Sequence, residues 1–357
     1  MKKVRFGIIA AALILVLMAG CAPKKAAPAA ASSAPFRVGV QPVAMGVPAA
    51  YALEKGYFAA EGLAIDLLVF PTGVPINEAM AAKELDIAMS GAASLFPLAT
   101  GDFKMLSDIN SSGGMGIWTR ADSDIMKFQG QAANGSDLYG SAESIRGKSF
   151  LCPLGTAAQF NVLRYIAQFG LTDADINTVH MEFGQAAQAF MAGEGDAIAI
   201  LPPFSIQLEA NGGVKVGSFE DATDIALCDM VYVSNELLAA RRGDLVKYMR
   251  AIYKAMDDMA DKKVRKEFTQ PWFASEGRVF DDEAMDQEMI DRIYFDRQYI
   301  SNPNYVFGEA LLPYAEFFVK LERIEQNDIE NVKKCLDPSL MEEALGIKVK
   351  LPNWATK

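Results

Sequence analysis

The sequence predicts an α/β protein made of two successive series of strands and helices. Short apolar runs typical of strands alternate with longer segments typical of helices from residue 36 to 109, and the alternation returns from 148 to 210. A polar stretch rich in glycine separates the two series. Because strands that alternate with helices at this spacing usually pair in parallel, we expect a mostly parallel sheet. Hydrophobic residues make up 51% of the chain, enough to bury the cores of about two domains.

The first series contains four predicted strands and three predicted helices. The strands fall at 36–40, 64–70, 86–90 and 103–109. Pro48 suits the first turn of a helix that ends near Phe58, and a second helix covers about 74–82. A third helix follows the small residues Gly91 and Ala92 and ends near Thr100.

The second series follows a strand at 115–119, which crosses from the first series, and a surface insertion at 121–141. Predicted strands then fall at 148–152, 176–181 and 196–201, and predicted helices at 157–169, 184–191 and 204–210. Thr156 is placed to cap the helix that begins at Ala157, with Gln159 at its third position.

After the second series the chain returns through two extended segments, 214–219 and 225–233, to a helical C-terminal region. The helices predicted there cover 244–260, 281–298, 308–321 and 328–336. Met285, Met289, Ile290 and Ile293 fall on one face at helical spacing, so we expect this face to lie in the core.

The N-terminus has the pattern of an export signal. Lys2, Lys3 and Arg5 precede an apolar run that ends at Ala19, so residues 1–20 are predicted to form a signal peptide. The run Met18-Ala19-Gly20-Cys21 resembles a bacterial lipobox, which predicts lipidation of Cys21; an ordinary cleaved signal with an incidental cysteine is the alternative. Residues 21–35 would form a lipidated tether that holds the protein at the outer face of the cytoplasmic membrane or in the periplasm.

The charged and sulfur-bearing residues argue against several functions. The formal net charge is −11, which disfavours nucleic acid as a partner. Beyond Cys21, the cysteines Cys152, Cys228 and Cys335 are odd in number and widely separated, so no disulfide framework is expected. The single histidine, His180, has no spacing to cysteines or carboxylates that suits a metal, and no cofactor is expected.

A motif in the first series resembles a known family. Gln41, followed by Lys55-Gly56-Tyr57-Phe58 and Glu61-Gly62-Leu63, is similar to the opening of ABC-transporter substrate-binding proteins of the nitrate/sulfonate/taurine class, which also includes binders of the thiamine pyrimidine precursor. Later landmarks similar to that family follow in order: Phe70-Pro71-Thr72-Gly73, Glu84-Leu85-Asp86-Ile87-Ala88 with Gly91, Ile145-Arg146-Gly147-Lys148, Gly155-Thr156 and Gly195-Asp196-Ala197. The resemblance covers about residues 36–212.

The resemblance implies a type II periplasmic-binding-protein fold, with two α/β lobes, two crossings between them and a ligand clamped in the cleft. Lobe one would comprise residues 36–109 plus 225–357, and lobe two would be the inserted residues 110–224. Closure of the lobes around a small-molecule ligand is the expected mechanism. The partners would be an ABC permease and ATPase complex, served by a monomer that a lipid anchor holds at the membrane.

Ten residues in turns that follow predicted strands are candidates for ligand contact. Small residues and helix N-termini at the carboxyl ends of parallel strands offer N–H groups and close approach to a ligand. The candidates are Gln41, Thr72, Ser90, Gly91, Ala92, Gly155, Thr156, Ala157, Pro203 and Phe204. Structural alternatives stand beside them: a loop amide, a turn residue, a helix cap or a site of close packing.

One departure from the family pattern bears on the ligand. Many relatives carry an aromatic-acid-proline sequence where this chain has Leu201-Pro202-Pro203, so a carboxylate that would bind an amine is missing and taurine is disfavoured. Arg120, near Trp118, could neutralise an anion or lie on the surface, and His180 is expected to be structural. An alkylsulfonate or similar small organic anion is the favoured ligand, and an aromatic or pyrimidine-type ligand is the alternative.

Two other classes of function remain open. The same fold family includes proteins of pyrimidine synthesis, but the scattered cysteines and the lone His180 do not supply the reactive groups that such an enzyme needs. No catalysis is therefore expected. A sensory lipoprotein would use the fold to recognise a partner, whereas permease and ATPase genes beside this one would favour import.

Overall fold

A computed structural model of the protein describes residues 34–223 and 228–355. The predicted signal peptide and Cys21 lie outside these residues. Within the described ranges, no helix has both the length and the apolar character needed to cross a bilayer.

The described ranges contain eleven strands and sixteen α-helices. The strands are β1 (Phe36–Val40), β2 (Ile65–Val69), β3 (Ile87–Ser90), β4 (Phe103–Ser112), β5 (Gly116–Arg120), β6 (Ser149–Cys152), β7 (Asn177–His180), β8 (Ala197–Ile200), β9 (Gly213–Ser218), β10 (Cys228–Ser234) and β11 (Arg292–Tyr294). The helices are α1 (Val47–Glu54), α2 (Tyr57–Ala60), α3 (Gly73–Ala81), α4 (Leu95–Ala99), α5 (Ala142–Ile145), α6 (Ala157–Ala167), α7 (Phe183–Met191), α8 (Phe204–Ala210), α9 (Phe219–Thr223), α10 (Asn235–Asp258), α11 (Lys262–Ser275), α12 (Asp282–Asp291), α13 (Arg297–Ile300), α14 (Leu311–Lys320), α15 (Asp328–Lys334) and α16 (Ser339–Leu345).

The strands form two sheets, and the predicted α/β class is confirmed. Sheet one has the strand order β11-β4-β10-β3-β1-β2, and sheet two has the order β7-β6-β8-β5-β9. The chain passes from sheet one to sheet two between β4 and β5, and returns between β9 and β10. We call each sheet with the helices packed on it lobe one and lobe two; the residue limits of the two lobes given above stay a prediction.

Both sheets are mixed, so the prediction of a mostly parallel sheet is wrong. In sheet one, β1 pairs in parallel with β2 and β3, but β10 runs antiparallel to β3 and β4, and β11 antiparallel to β4. In sheet two, β6 is parallel to β7 and β8, whereas β5 is antiparallel to β8 and β9. Each antiparallel pair includes a strand that borders a passage between the sheets. Such a strand joins its sheet without the crossover connection that parallel pairing requires.

The prediction of one helix over 281–298 is also wrong. Helix α12 ends at Asp291, and the next three residues form β11 at the edge of sheet one. Pairing with β4 keeps this segment extended, so Arg292 and Tyr294 are buried while Ile293 is 51% exposed. Ile290 is exposed as well, so only the two methionines of the predicted apolar face lie in the core. Cross-strand pairing here overrides the helical period of the sequence.

The C-terminal region also holds two helices that the sequence analysis did not predict, α11 and α16. Helix α14 contacts both lobes through neighbouring rings. The Phe317 ring lies 4.4 Å from that of Phe160 in α6, and the Phe318 ring lies 5.0 Å from that of Phe96 in α4. This helix therefore lies against the junction between the lobes.

The centre of each sheet is fully buried. Every residue of β3 and of β8 is buried, as expected for strands covered on both faces. Within its sheet, β1 runs parallel to β3, and β6 runs parallel to β8. The carboxyl ends of each pair, and the turns that follow them, therefore lie together at one edge of each sheet.

Candidate functional site

The turns after β1, β3, β6 and β8 line one cavity between the lobes, which we call the cleft. About 40 Å³ of it is open to the centre of a water-sized molecule. Six of the ten predicted residues line it: Gln41, Ser90, Gly91, Ala92, Thr156 and Ala157. Other lining residues include Met45, Met115, Phe183, Leu201, Asp229 and Arg292.

On the side of lobe one, Gln41 and Ser90 form a hydrogen-bonded pair. Gln41 Nε2 donates to Ser90 Oγ over 3.2 Å, and both side chains are buried. Gly73 leaves room for the pair, because a Cβ at that position would lie 2.5 Å from Ser90 Oγ. The Ser90 hydroxyl accepts in this bond and keeps its own proton, which it can donate to a ligand.

A carboxylate from β10 enters the cleft beside Gly91. Asp229 is 3% exposed, and Asn110 Nδ2 donates to its Oδ2 over 2.8 Å. A Cβ on residue 91 would lie 2.8 Å from Asp229 Oδ1, so a glycine is needed for the carboxylate to occupy this place. The pairing of β10 with β4 shifts register between Asp229 and Met230, and such a bulge re-aims a side chain.

On the side of lobe two, Thr156 caps α6 as the sequence predicts. Thr156 Oγ1 accepts from the Ala158 N–H over 3.2 Å and donates to the Pro153 carbonyl oxygen over 2.7 Å. Gln159 Oε1 accepts from the Gly155 N–H over 2.8 Å, which fixes the turn before the helix. The hydroxyl proton is bonded inside the turn, and an anionic ligand would compete with the Pro153 carbonyl oxygen for it.

Arg292 supplies the cleft with a buried guanidinium. Its Nε lies 3.5 Å from Glu288 Oε2 and its Nη2 lies 3.4 Å from the Pro202 carbonyl oxygen, both long for hydrogen bonds. Burial raises the pKa of Glu288 to about 7, although the positive charges of Arg292 and Arg265 act to lower it. A guanidinium held by long contacts keeps the capacity to bind an anion through charge-assisted hydrogen bonds.

Thr72 and Gly155 lie where the two lobes touch, and not in the lining of the cleft. Thr72 Oγ1 donates to Glu182 Oε1 of lobe two over 3.3 Å. Gly155 has a φ of +70°, and a Cβ there would lie 3.2 Å from Val74 Cγ2 of lobe one. These two candidates therefore take part in contacts between the lobes.

Pro203 and Phe204 lie behind the wall of the cleft. The Pro202–Pro203 peptide bond is cis, and Phe204 is buried at the start of α8. The centre of the Phe204 ring lies 6.5 Å from that of the Phe183 ring, and the two rings stack. Phe183, and not Phe204, lines the cleft. Arg278 covers the Phe204 ring at 5.1 Å and donates from Nη1 to the Pro42 carbonyl oxygen over 2.7 Å. Burial lowers the pKa of Arg278 to about 10.

The remaining polar candidates have structural roles away from the cleft. Arg120 donates to the carbonyl oxygens of Phe190, Glu194 and Gly195, so it closes the end of α7 and is not placed to neutralise a ligand in the cleft. Trp118 is buried in sheet two. His180 Nδ1 accepts from the Leu154 N–H over 3.1 Å.

The cleft offers hydrogen bonds, charges and apolar contact. None of the described residues that line it is a cysteine or a histidine. Burial raises the pKa of the Cys152 thiol to about 12, which keeps it protonated and unreactive. Among residues 34–223 and 228–355, no group of three or more histidine, cysteine, aspartate or glutamate side chains is placed to hold a metal ion.

Sequence reasoning missed Asp229 and Arg292 for different reasons. Asp229 is the one charged residue in the run 228–233, and an acid within an apolar strand is a signal that could have selected it. Arg292 fell inside the helix predicted over 281–298, where nothing distinguished it from a surface arginine.

Comparisons with known proteins identify the family. The model of the NMT1-like family matches residues 29–271. A protein of Brachyspira hyodysenteriae named as an ABC transporter periplasmic binding protein is 30% identical over 334 residues, which cover 93% of this chain and 95% of that protein. The chain belongs to the NMT1-like family. A protein of Bacillus subtilis named as an aliphatic sulfonates-binding protein is 24% identical over 72% of this chain and 74% of its own length.

Solved structures confirm the periplasmic-binding-protein fold. The alkanesulfonate-binding protein SsuA of Xanthomonas axonopodis, bound to MOPS, has a TM-score of 0.63 and 18% identity, with 84% of this chain and 96% of that chain covered. The nitrate-binding protein NrtA of Synechocystis has a TM-score of 0.69 and 14% identity, with 87% and 88% covered. The desulfurization enzyme DSZB has a TM-score of 0.55 and 15% identity, with 87% and 98% covered. At these identities the likeness concerns the fold alone.

Proposed function

We propose that this protein is an exported solute-binding protein that captures a small organic ligand between its two lobes and delivers it to an ABC importer. The observation that carries the proposal is the cleft, in which strand-end turns of both sheets face one cavity. The relative from Brachyspira hyodysenteriae, similar over 93% of this chain, supports the import role. The predicted lipidation at Cys21 and the permease and ATPase partners belong to the same proposal.

The favoured ligand is a small organic anion such as an alkylsulfonate. The buried guanidinium of Arg292 and the donor hydroxyl of Ser90 would bind the oxygens of a sulfonate or carboxylate. Met115, Phe183 and Leu201 would contact the carbon chain. The relative from Bacillus subtilis, named for aliphatic sulfonates, supports this class of ligand. The same apolar side chains would also suit an aromatic or pyrimidine-type ligand, which is the alternative.

The proposed mechanism is closure of the lobes around the ligand. A ligand favours the closed form only through contacts that are better made in that form. Groups from lobe one, such as Ser90, and groups from lobe two, such as Thr156, line the same cavity, so a bound ligand would bridge them. The contact of Thr72 with Glu182 would add to the closed form without touching the ligand.

An enzyme is the second candidate, because the desulfurization enzyme DSZB has a similar fold. Thiol or imidazole catalysis would need such a group beside the substrate. The described residues that line the cleft include neither, which favours a binding protein. A sensory lipoprotein would use the same cleft, and the presence of permease and ATPase genes beside this one would separate the two roles.

A thermal-shift panel tests the proposal. Alkylsulfonates, nitrate, aromatic acids and pyrimidines are added in turn to the purified protein, and the melting temperature is recorded. A ligand at about one hundred times its Kd adds about 2.7 kcal/mol to the free energy of unfolding, which should raise the Tm by several degrees. An alkylsulfonate is expected to give the largest rise. No rise with any member of the panel would contradict the binding role.

A further inference from the structure

A loop of lobe one reaches across to lobe two beside the cleft. Residues 276–281 join α11 to α12, and we call this loop the strap. Two hydrogen bonds tie it to α11. The Arg278 N–H donates to the Phe273 carbonyl oxygen over 2.8 Å, and Gln270 Nε2 donates to the Phe280 carbonyl oxygen over 3.2 Å. The strap therefore belongs to lobe one.

The strap holds the start of α8, which belongs to lobe two. The Phe280 ring lies edge-on to the Phe204 ring, with 5.2 Å between their centres. The guanidinium carbon of Arg278 lies 5.1 Å from the centre of the same ring. Gln207 Nε2 donates to the Val279 carbonyl oxygen over 3.1 Å. A ring contact, a cation–π contact and a hydrogen bond thus fasten α8 to the strap.

Phe204 connects the strap to the wall of the cleft. Its ring stacks with that of Phe183, which lines the cleft. Phe183, Phe204 and Phe280 are 6%, 5% and 7% exposed, so the three rings form one buried row from the cleft to the strap. Closely packed side chains do not shift independently of one another. A ligand that fixes the Phe183 ring therefore also favours the position of Phe204 that engages the strap.

The strap has little else to resist its release. Val279 at its tip is 74% exposed. Gly277 has a φ of +77°, and a Cβ there would meet nothing within 4 Å. Short exposed segments of this kind open locally at a much smaller free-energy cost than the core. A modest change in the row of rings can therefore shift the strap between engaged and released.

We propose that the strap fastens lobe two to lobe one and that an occupied cleft tightens it through Phe183 and Phe204. The coupling to a ligand rests on the function given above. It adds Arg278 and Phe280 as positioning residues, which act on affinity without touching the ligand. By linkage, the factor by which a ligand favours the engaged strap equals the factor by which the engaged strap raises the affinity.

Tryptic cleavage after Arg278 measures release of the strap, because trypsin must take up a side chain that the engaged strap keeps against Phe204. Ligand-free wild type, Phe204→Leu and Phe128→Leu are digested, and mass spectrometry follows this one bond. Phe204→Leu should raise the rate about fivefold or more, as the loss of a ring pair and a cation–π contact provides. Phe128→Leu, the same change at a ring that is 36% exposed, should keep the wild-type rate.

Equal rates in wild type and Phe204→Leu would overturn the strap. Gln207→Ala decides the matter if Phe204→Leu does not fold, since it deletes one surface hydrogen bond to the strap and no core contact. It should raise the rate of cleavage after Arg278 about threefold, the value of one modest hydrogen bond. An unchanged rate in Gln207→Ala would then overturn the strap.

The same digestion with added compounds tests the coupling. Propanesulfonate, nitrate, benzoate and uracil represent the classes of the thermal-shift panel. A compound that raises the Tm of the wild type should slow cleavage after Arg278 in wild type and not in Phe204→Leu. Phe280→Leu should weaken binding of that compound about fivefold in calorimetry.

The outcomes separate the coupling from the function on which it rests. Unchanged cleavage in wild type that binds a compound, or equal slowing in wild type and Phe204→Leu, overturns the coupling and leaves a binding protein. No binding by any compound contradicts the binding function and the coupling together. The ligand-free rates decide the strap in either case.

Discussion

At the scale of single residues, the charged groups of the cleft wall are buried and depend on one another. Glu288 lies beside Arg292, and its carboxyl is almost wholly removed from water. Burial raises the pKa of Glu288 from 4.5 to about 7, so near neutral pH the carboxyl is present in both protonation states. The protonated form leaves the guanidinium of Arg292 with less competition for an anionic ligand.

Glu288 gives a prediction for the pH dependence of stability. A carboxyl whose pKa is raised by folding binds its proton more tightly in the folded protein. Its contribution is therefore full below about pH 4.5 and is lost as the pH rises through about 7. The loss would amount to at most about 3 kcal/mol. Glu288→Gln should abolish this part of the dependence, as measured by urea unfolding between pH 4.5 and 8.

The unfolding measurement on Glu288→Gln needs a control, because Asp108 also changes the free energy of unfolding in this pH range. Burial raises the pKa of Asp108 to about 6, so its contribution falls in the same direction as the pH rises. The quantity to compare is therefore the difference between wild type and variant at each pH. Glu283→Gln, at an exposed position of the same helix, should leave the wild-type dependence intact. A difference between wild type and Glu288→Gln that stays constant with pH would refute the assignment.

At the scale of elements, the turn before α6 both caps a helix and touches the opposite lobe. Gly155 adopts a φ of +70° and faces Val74 of α3. Gly170, just after the same helix, has the same φ, but a Cβ there would meet nothing within 4 Å. The two glycines therefore share a backbone conformation that would strain any residue with a Cβ, and they differ only in the contact between lobes.

This difference predicts separate effects on stability and on binding. Gly155→Ala and Gly170→Ala should each lower the free energy of unfolding by about 1 kcal/mol, because both place a Cβ at positive φ. Only Gly155→Ala should weaken ligand binding, by about fivefold or more, since its Cβ crowds Val74 when the lobes meet. The affinity of each variant is measured by calorimetry with the ligand that raises the Tm of the wild type most. Equal affinities would show that the contact between lobes plays no part in binding.

Sequence reasoning succeeded where local chemistry decides the structure. The turns after β1, β3 and β6 were found because strand-turn-helix units have a clear period and because small or capping residues follow each strand. Gln41, Ser90 and Thr156 were placed in this way. Asp229 and Arg292 were not, because they lie on β10 and β11, whose antiparallel pairing with β4 joins distant parts of the chain. No local pattern reports such pairing, and β11 was taken for part of a helix.

At the scale of the whole molecule, the lobes are joined by polar contacts outside the cleft. Thr72 donates to Glu182 over 3.3 Å, and Gln207 Nε2 donates to the Val279 carbonyl oxygen over 3.1 Å. Arg278 lies between the Pro42 carbonyl oxygen and the ring of Phe204. Each contact is modest by itself, so a ligand that bridges both lobes can shift the balance between open and closed forms.

The overall charge of the protein does not oppose an acidic ligand group. The formal net charge is −11, but interactions between exposed charges are screened within about 8 Å at physiological ionic strength. Inside the cleft, the buried guanidinium of Arg292 is close enough to outweigh that distant field. Ligand selection therefore depends on a few buried groups and not on the surface charge.

The most direct test of ligand capture between the lobes is the affinity of the best ligand for variants of opposite lobes. Calorimetry is performed on wild type, Ser90→Ala and Thr156→Val, with Thr172→Val as a control that alters a helix cap outside the cleft. Ser90→Ala and Thr156→Val should each weaken binding by about 1 kcal/mol, while Thr172→Val should change stability alone. Unchanged affinity in either Ser90→Ala or Thr156→Val would contradict a ligand held by both lobes.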